Sequence, residues 1–111
     1  MNWQNLENIE QLSKITQQSE NTSCVLFKHS TKCSISNVAW QRMKNASLPE
    51  NAEYYYLDLL AHRDISNAIA EKFSVHHESP QVLLIKKGEC TYTESHLGIT
   101  PEELTEQLEK N

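Results

Sequence analysis

Glycine and proline are scarce in this chain, with two of the first and three of the second among 111 residues. Forced turns are therefore few, and most of the chain is expected in regular structure. Positive charge is also short: ten Lys and Arg stand against fifteen Asp and Glu, a net −5. An acidic chain gains nothing from phosphate backbones or anionic lipid, which sets aside nucleic acid and membrane surfaces as partners. No apolar run approaches the roughly 20 residues of a membrane helix. The opening Met1-Asn2-Trp3-Gln4-Asn5 has neither the basic flank nor the apolar stretch of a secretory leader, so a cytoplasmic location is expected. Only three cysteines occur, Cys24, Cys33 and Cys90. An odd count in a reducing compartment argues against a disulfide framework, and no pair has zinc-knuckle spacing. Repeats, low-complexity tracts and linkers are lacking too, so residues 1–111 read as one domain, large enough for a core without staples.

What is present is a regular succession of patterns. Ile9, Leu12 and Ile15 recur at spacings of three after Asn8, a candidate cap, and predict a helix over about 8–18. Cys24-Val25-Leu26-Phe27 is a short apolar run between polar segments, as expected of a buried strand. A polar loop, His29-Ser30-Thr31-Lys32, leads to a second helix from about Cys33 to Asn45. Its apolar positions are Ile35, Val38, Ala39, Ala46 and either Trp40 or Met43. The aromatic stretch Glu53–Leu59 predicts a strand. Asp64 is a candidate cap for a third helix with Ile65, Ala68, Ile69 and Phe73 inside. Gln81–Ile85, a turn at Lys87-Gly88-Glu89, and Cys90–Ser95 read as a hairpin. Thr100-Pro101-Glu102-Glu103 is a strong helix start, with Leu104 and Leu108 anchoring the last helix. The order α-β-α-β-α-β-β-α predicts an α/β three-layer sandwich. Its central mixed sheet has about four strands, parallel where helices connect them and antiparallel in the final hairpin.

Cys33 is the residue with chemistry to offer. A thiol attacks a disulfide only as the thiolate, and a helix start favours negative charge through its unpaired N–H groups. Lys32 adjoins it, and Lys28 and His29 precede it closely; all three are candidate sources of favourable positive charge. The plain alternative is a buried structural cysteine, which the polar loop argues against. Ser36 stands three residues on, where its hydroxyl can donate to the Cys33 sulfur or to backbone, and cannot form a disulfide. Cys24 and Cys90 fall at the far ends of their strands, roughly 16 Å or more from the loop, far beyond the ~5.5 Å that a disulfide spans between Cα atoms. His76-His77 read as loop residues, since neighbours on an extended chain point apart.

Two segments carry a resemblance. Val25-Leu26-Phe27-Lys28-His29-Ser30-Thr31-Lys32-Cys33-Ser34-Ile35-Ser36 and Ser79-Pro80-Gln81-Val82-Leu83-Leu84-Ile85-Lys86-Lys87-Gly88-Glu89 resemble the active-site and cis-proline segments of thioredoxins and glutaredoxins. With Ser95-His96-Leu97 and Ile99-Thr100, the combination is similar to the YtxJ-like monothiol bacilliredoxins. That resemblance implies a thioredoxin-like fold and removal of bacillithiol from cysteines of oxidised cytoplasmic proteins. Cys33 is then the nucleophile, with Lys32 and Ser36 supporting it. Ser79 and a cis Pro80 shape the substrate groove, and Thr31 and His96 flank it. A low-molecular-weight thiol is the co-substrate, no cofactor or metal is needed, and a monomer is expected. A monothiol glutaredoxin using glutathione or holding an iron–sulfur cluster is the alternative. It is weakened by His96-Leu97-Gly98-Ile99-Thr100, which has one glycine and no acidic residue until Glu102. A binding module with an inert cysteine is the other.

Overall fold

The computed structural model describes residues 3–110. Its elements run β1 (Trp3–Asn5), α1 (Glu10–Gln18), β2 (Ser23–His29), α2 (Ser34–Lys44), β3 (Ala52–Asp58), α3 (Arg63–Lys72), β4 (Gln81–Lys86), β5 (Glu89–Ser95), a 3-10 turn at His96–Gly98, and α4 (Pro101–Glu109). The sheet has five strands in the order β1-β3-β2-β4-β5. β1 and β2 lie parallel to β3, while β4 is antiparallel to both β2 and β5.

The sheet therefore has one strand more than expected. β1 is three residues of Trp-Gln-Asn, too short and too polar for a periodicity. It exists because the edge of β3 accepts it in register, Trp3 opposite Tyr54 and Asn5 opposite Tyr56.

β2 is central, and all of it after Ser23 is buried. Its alternate residues feed two cores, as strand pleating requires. Cys24 and Leu26 join Leu12 and Ile15 of α1 and Ile65 and Ile69 of α3 on one face. Val25 and Phe27 join Ala39 and Met43 of α2 and Leu104 of α4 on the other. Each fully buried Leu, Ile or Phe contributes about 1.5–3 kcal/mol before entropy is charged against it. Two helices cover each face, giving the three layers of a thioredoxin-like sandwich.

Several local expectations are corrected. α1 is preceded by Ile9, not Asn8, and has no side-chain cap; Gln11 of its first turn instead reaches back to the preceding loop, its Oε1 accepting from Glu7 and Asn8 N–H. Asp64 lies inside the first turn of α3, and His62 occupies the cap position. α2 buries Ser36, Ala39 and Met43. Ile35 and Val38 face outward at 43% and 52% exposure. The serine completes the buried stripe, so counting apolar residues alone rotated the helix wrongly. α4 starts as its sequence indicates, with the Thr100 hydroxyl accepting from Glu103 N–H at 3.2 Å and Pro101 in the first turn. Among the described residues, no helix is long and apolar enough to cross a membrane.

Candidate active site

The carboxyl end of β2 delivers the chain into the turn Ser30–Lys32 and then to Cys33, the N-cap residue of α2. Cys33 is extended (φ −109°, ψ 123°). Its N–H donates to Ser30 O at 3.1 Å, and its carbonyl accepts the first helical bond from Asn37 N–H at 2.9 Å. The thiol is partly exposed, beside first-turn N–H groups that have no intrahelical acceptor. Thr31 and Lys32 are exposed on the same turn.

Strand register brings two other segments to this end of the sheet. Lys28 near the end of β2 pairs with Gln81 at the start of β4, and Gln81 pairs with Ser95 at the end of β5. The Ser79–Pro80 bond, which is cis, leads directly into Gln81. His96 N–H donates to Pro80 O at 3.0 Å. The loop of Cys33, the Ser79–Pro80 bond and His96 thus share one edge of the molecule. His96 sits at φ +57°, a left-handed conformation that a non-glycine residue adopts at some cost. Its ring faces Glu78, with Nε2 3.6 Å from a carboxylate oxygen, and His76 approaches the other oxygen at 3.7 Å. Arg42 of α2 fixes the 3-10 turn by donating to Ile99 O at 2.8 Å and Leu97 O at 3.4 Å. Ile35 and Val38 on α2 and Leu97 on the 3-10 turn are exposed apolar side chains on these same elements.

Ser36 is fully buried, and its hydroxyl is used within the protein. It accepts from Ser30 N–H at 2.9 Å and pairs with His29 Nδ1 at 2.7 Å. Of the two partners expected for it, the Cys33 sulfur and the backbone, the structure shows the backbone, with the hydroxyl accepting, and this pair of bonds ties the loop before Cys33 to the helix after it. His29 is buried at 3% exposure among Phe27, Trp40 and Tyr56. Burial lowers its pKa, partly opposed by the charge of Asp58. Lys28 does not serve the loop of Cys33 at all. It points to the opposite face of the sheet, as strand alternation demands, and its Nζ donates to Ser66 O at 3.1 Å and reaches His77 Nδ1 at 3.2 Å.

The remaining thiols are elsewhere. Cys24 and Cys90 both pair with Ile85, on either side of β4 and at its far end from Gln81. Cys24 is wholly buried, its Sγ against Thr22 O at 3.4 Å, and burial with the charge of Glu53 pushes it up to about 11. Burial also raises Cys90. Burial therefore disfavours the thiolate, the nucleophilic form, at both. Among the described residues, no group of three or more His, Cys, Asp or Glu is arranged to hold a metal.

Sequence reasoning missed Gln81, Arg42, Glu78 and the partners of Lys28 and Ser36. One signal was available: a lysine inside an otherwise buried strand.

The family model for monothiol bacilliredoxin BrxC matches residues 4–104. A solved structure described as a proposed oxidoreductase with a thioredoxin fold is 32% identical, with a TM-score of 0.82 over 96% of this chain and 93% of that one. Thioredoxin from Fasciola hepatica is 18% identical with a TM-score of 0.72, covering 95% of both chains, and shares the fold. Thioredoxin from Trypanosoma brucei brucei is likewise 18% identical at a TM-score of 0.72, over 96% of this chain and 88% of its own. The family match and the 32% identical thioredoxin-fold oxidoreductase support a redox thiol function. The chain belongs to the monothiol bacilliredoxin BrxC family.

Proposed function

We propose that this chain removes bacillithiol from mixed disulfides on oxidised cytoplasmic proteins, using Cys33 as its only nucleophile. The observation that carries the reading is the separation of the thiols: Cys33 alone is at a helix start, at the same end of the sheet as Ser79–Pro80, while Cys24 and Cys90 lie at the far end of β4 and are raised by burial. The Cys33 thiolate attacks the bacillithiol sulfur of the mixed disulfide. That bond breaks, the substrate cysteine leaves as thiolate and takes a proton from solvent, and bacillithiol remains joined to Cys33. A second bacillithiol thiolate then attacks the adduct, giving bacillithiol disulfide and free Cys33. Electrons balance without a cofactor, and the family match favours bacillithiol over glutathione.

Each remaining residue has a part in this reading. Lys32 adds positive charge beside the thiolate. Ser36 supports the loop through Ser30 and His29. The Ser79 backbone pairs with the incoming peptide while Pro80 sets its direction, and Thr31 borders the groove. His96 faces the carboxylates of the small thiol, and Ile35, Val38 and Leu97 cover apolar side chains of the protein substrate. The chain acts as a monomer.

The test is intact mass and peptide mapping after reduced protein meets bacillithiol disulfide and, separately, glutathione disulfide. One adduct at Cys33, formed faster with bacillithiol and lost in Cys33→Ser, is expected. Labelling confined to Cys24 or Cys90, or exchange surviving in Cys33→Ser, overturns the reading.

A further inference from the structure

Lys28 is fully buried, and it is the only Lys, Arg, Asp or Glu among the described residues that is. Among those residues no carboxylate pairs with it, although burying an ammonium without one is costly. An ammonium only donates, so His77 Nδ1 is the acceptor at 3.2 Å and the ring proton sits on Nε2. Ser66 Oγ of α3 lies 3.3 Å from the same nitrogen, and Ser66 O takes a second Lys28 bond at 3.1 Å. His77 belongs to the loop that runs straight into Ser79–Pro80.

Gln81, also buried, holds that loop as well. Its Nε2 donates to His76 O at 2.9 Å, and its Oε1 accepts from Glu78 N–H at 3.4 Å. Three consecutive residues, His76, His77 and Glu78, are therefore tied to β2 and β4 immediately before Ser79. The backbone of Glu78 and His76 is fixed by an amide, and the side chain of His77 by a cation.

The geometry points to Lys28 as a positioning residue: through His77 it sets the height of the Ser79–Pro80 backbone against which a peptide substrate lies. This rests on the reading above that the substrate peptide runs along Ser79–Pro80. Lys28 does not act on the Cys33 thiol, since it occupies the opposite face of the sheet with α3. The loss of Lys28 then weakens recognition of a peptide disulfide and spares the reaction with a small one.

The experiment compares two substrates for the full chain: a peptide cysteine in mixed disulfide with bacillithiol, and the small aromatic disulfide DTNB. In K28M the KM for the peptide is expected to rise about tenfold, as displaced positioning groups cost. The kcat and the DTNB rate stay within about twofold, and the urea midpoint is no lower than that of the wild type, since an unpaired buried charge has gone. H77L reproduces the KM effect without touching Lys28, and H77Q, which keeps an acceptor, restores it. An unchanged peptide KM in K28M and H77L overturns the inference. Parallel loss with peptide and DTNB also overturns it, because Lys28 then acts on the thiol or on the fold at large. A wild type that reacts with DTNB but not with the peptide overturns the preceding reading instead.

Discussion

Ser36 satisfies two groups at once, the N–H of Ser30 and Nδ1 of the buried His29. Ser36→Ala strands both, with an expected loss of about 1–3 kcal/mol, read as a lower urea midpoint. Lys28 makes a prediction of opposite sign. Burial lowers it from 10.5 to about 8, so between those values the unfolded chain binds more protons than the folded one. Stability therefore rises with pH across that window. Lys28→Met removes this slope: its advantage over the wild type is greatest below about pH 8 and shrinks toward about pH 10.5, as urea titrations at each pH will register. The place of Cys33 at a helix start was legible in the sequence because it follows from local pattern alone. The partners of Ser36 and Lys28 were not, since His29 and Ser36 meet only when α2 packs on β2, and Ser66 arrives from a helix 38 residues away in sequence.

At the scale of elements, the β4–β5 turn is built from Lys87 at φ +52° and Gly88 at φ +78°. Both central residues are left-handed, which is the form that a right-twisted two-residue hairpin prefers. Glycine adopts it freely; lysine does not. The turn is also anchored, with Lys87 N–H donating to Ser19 O at 2.7 Å and Gly88 N–H to Ser19 Oγ at 2.8 Å. Those bonds use backbone donors, so Lys87→Asn keeps them and relieves the strain. The expected gain is about 0.5–1 kcal/mol, seen as a higher melting temperature. The hairpin and α4 were readable because turn and cap residues act within a few positions. β1 was not, because three residues carry no period and the strand depends on the exposed edge of β3. The inner face of α2 was misread for a related reason: Ser36 is buried by its hydrogen bonds, which apolar patterning does not register.

Across the molecule, protection should follow the strand order. β2 has a partner on each side and a helical layer on each face, whereas β1 and β5 are edges. Native-state hydrogen exchange is expected to find its slowest amides in β2 and its fastest sheet amides in β1 and β5. Equal protection across the five strands would contradict that ranking. The order of layers was legible because alternating strands and helices leave few topologies open. The same centrality has a consequence at the aromatic stack. The chain has two tryptophans, Trp3 and Trp40. Their rings meet at 5.1 Å, and Trp40 lies 4.5 Å from Tyr56 and 6.2 Å from His29. Edge strand β1 and helix α2 thus pool their indoles beside the histidine that braces the Cys33 loop. Displacement of the loop by an adduct at Cys33 is then expected to change the intrinsic fluorescence, so the protein carries its own optical probe of modification at that thiol.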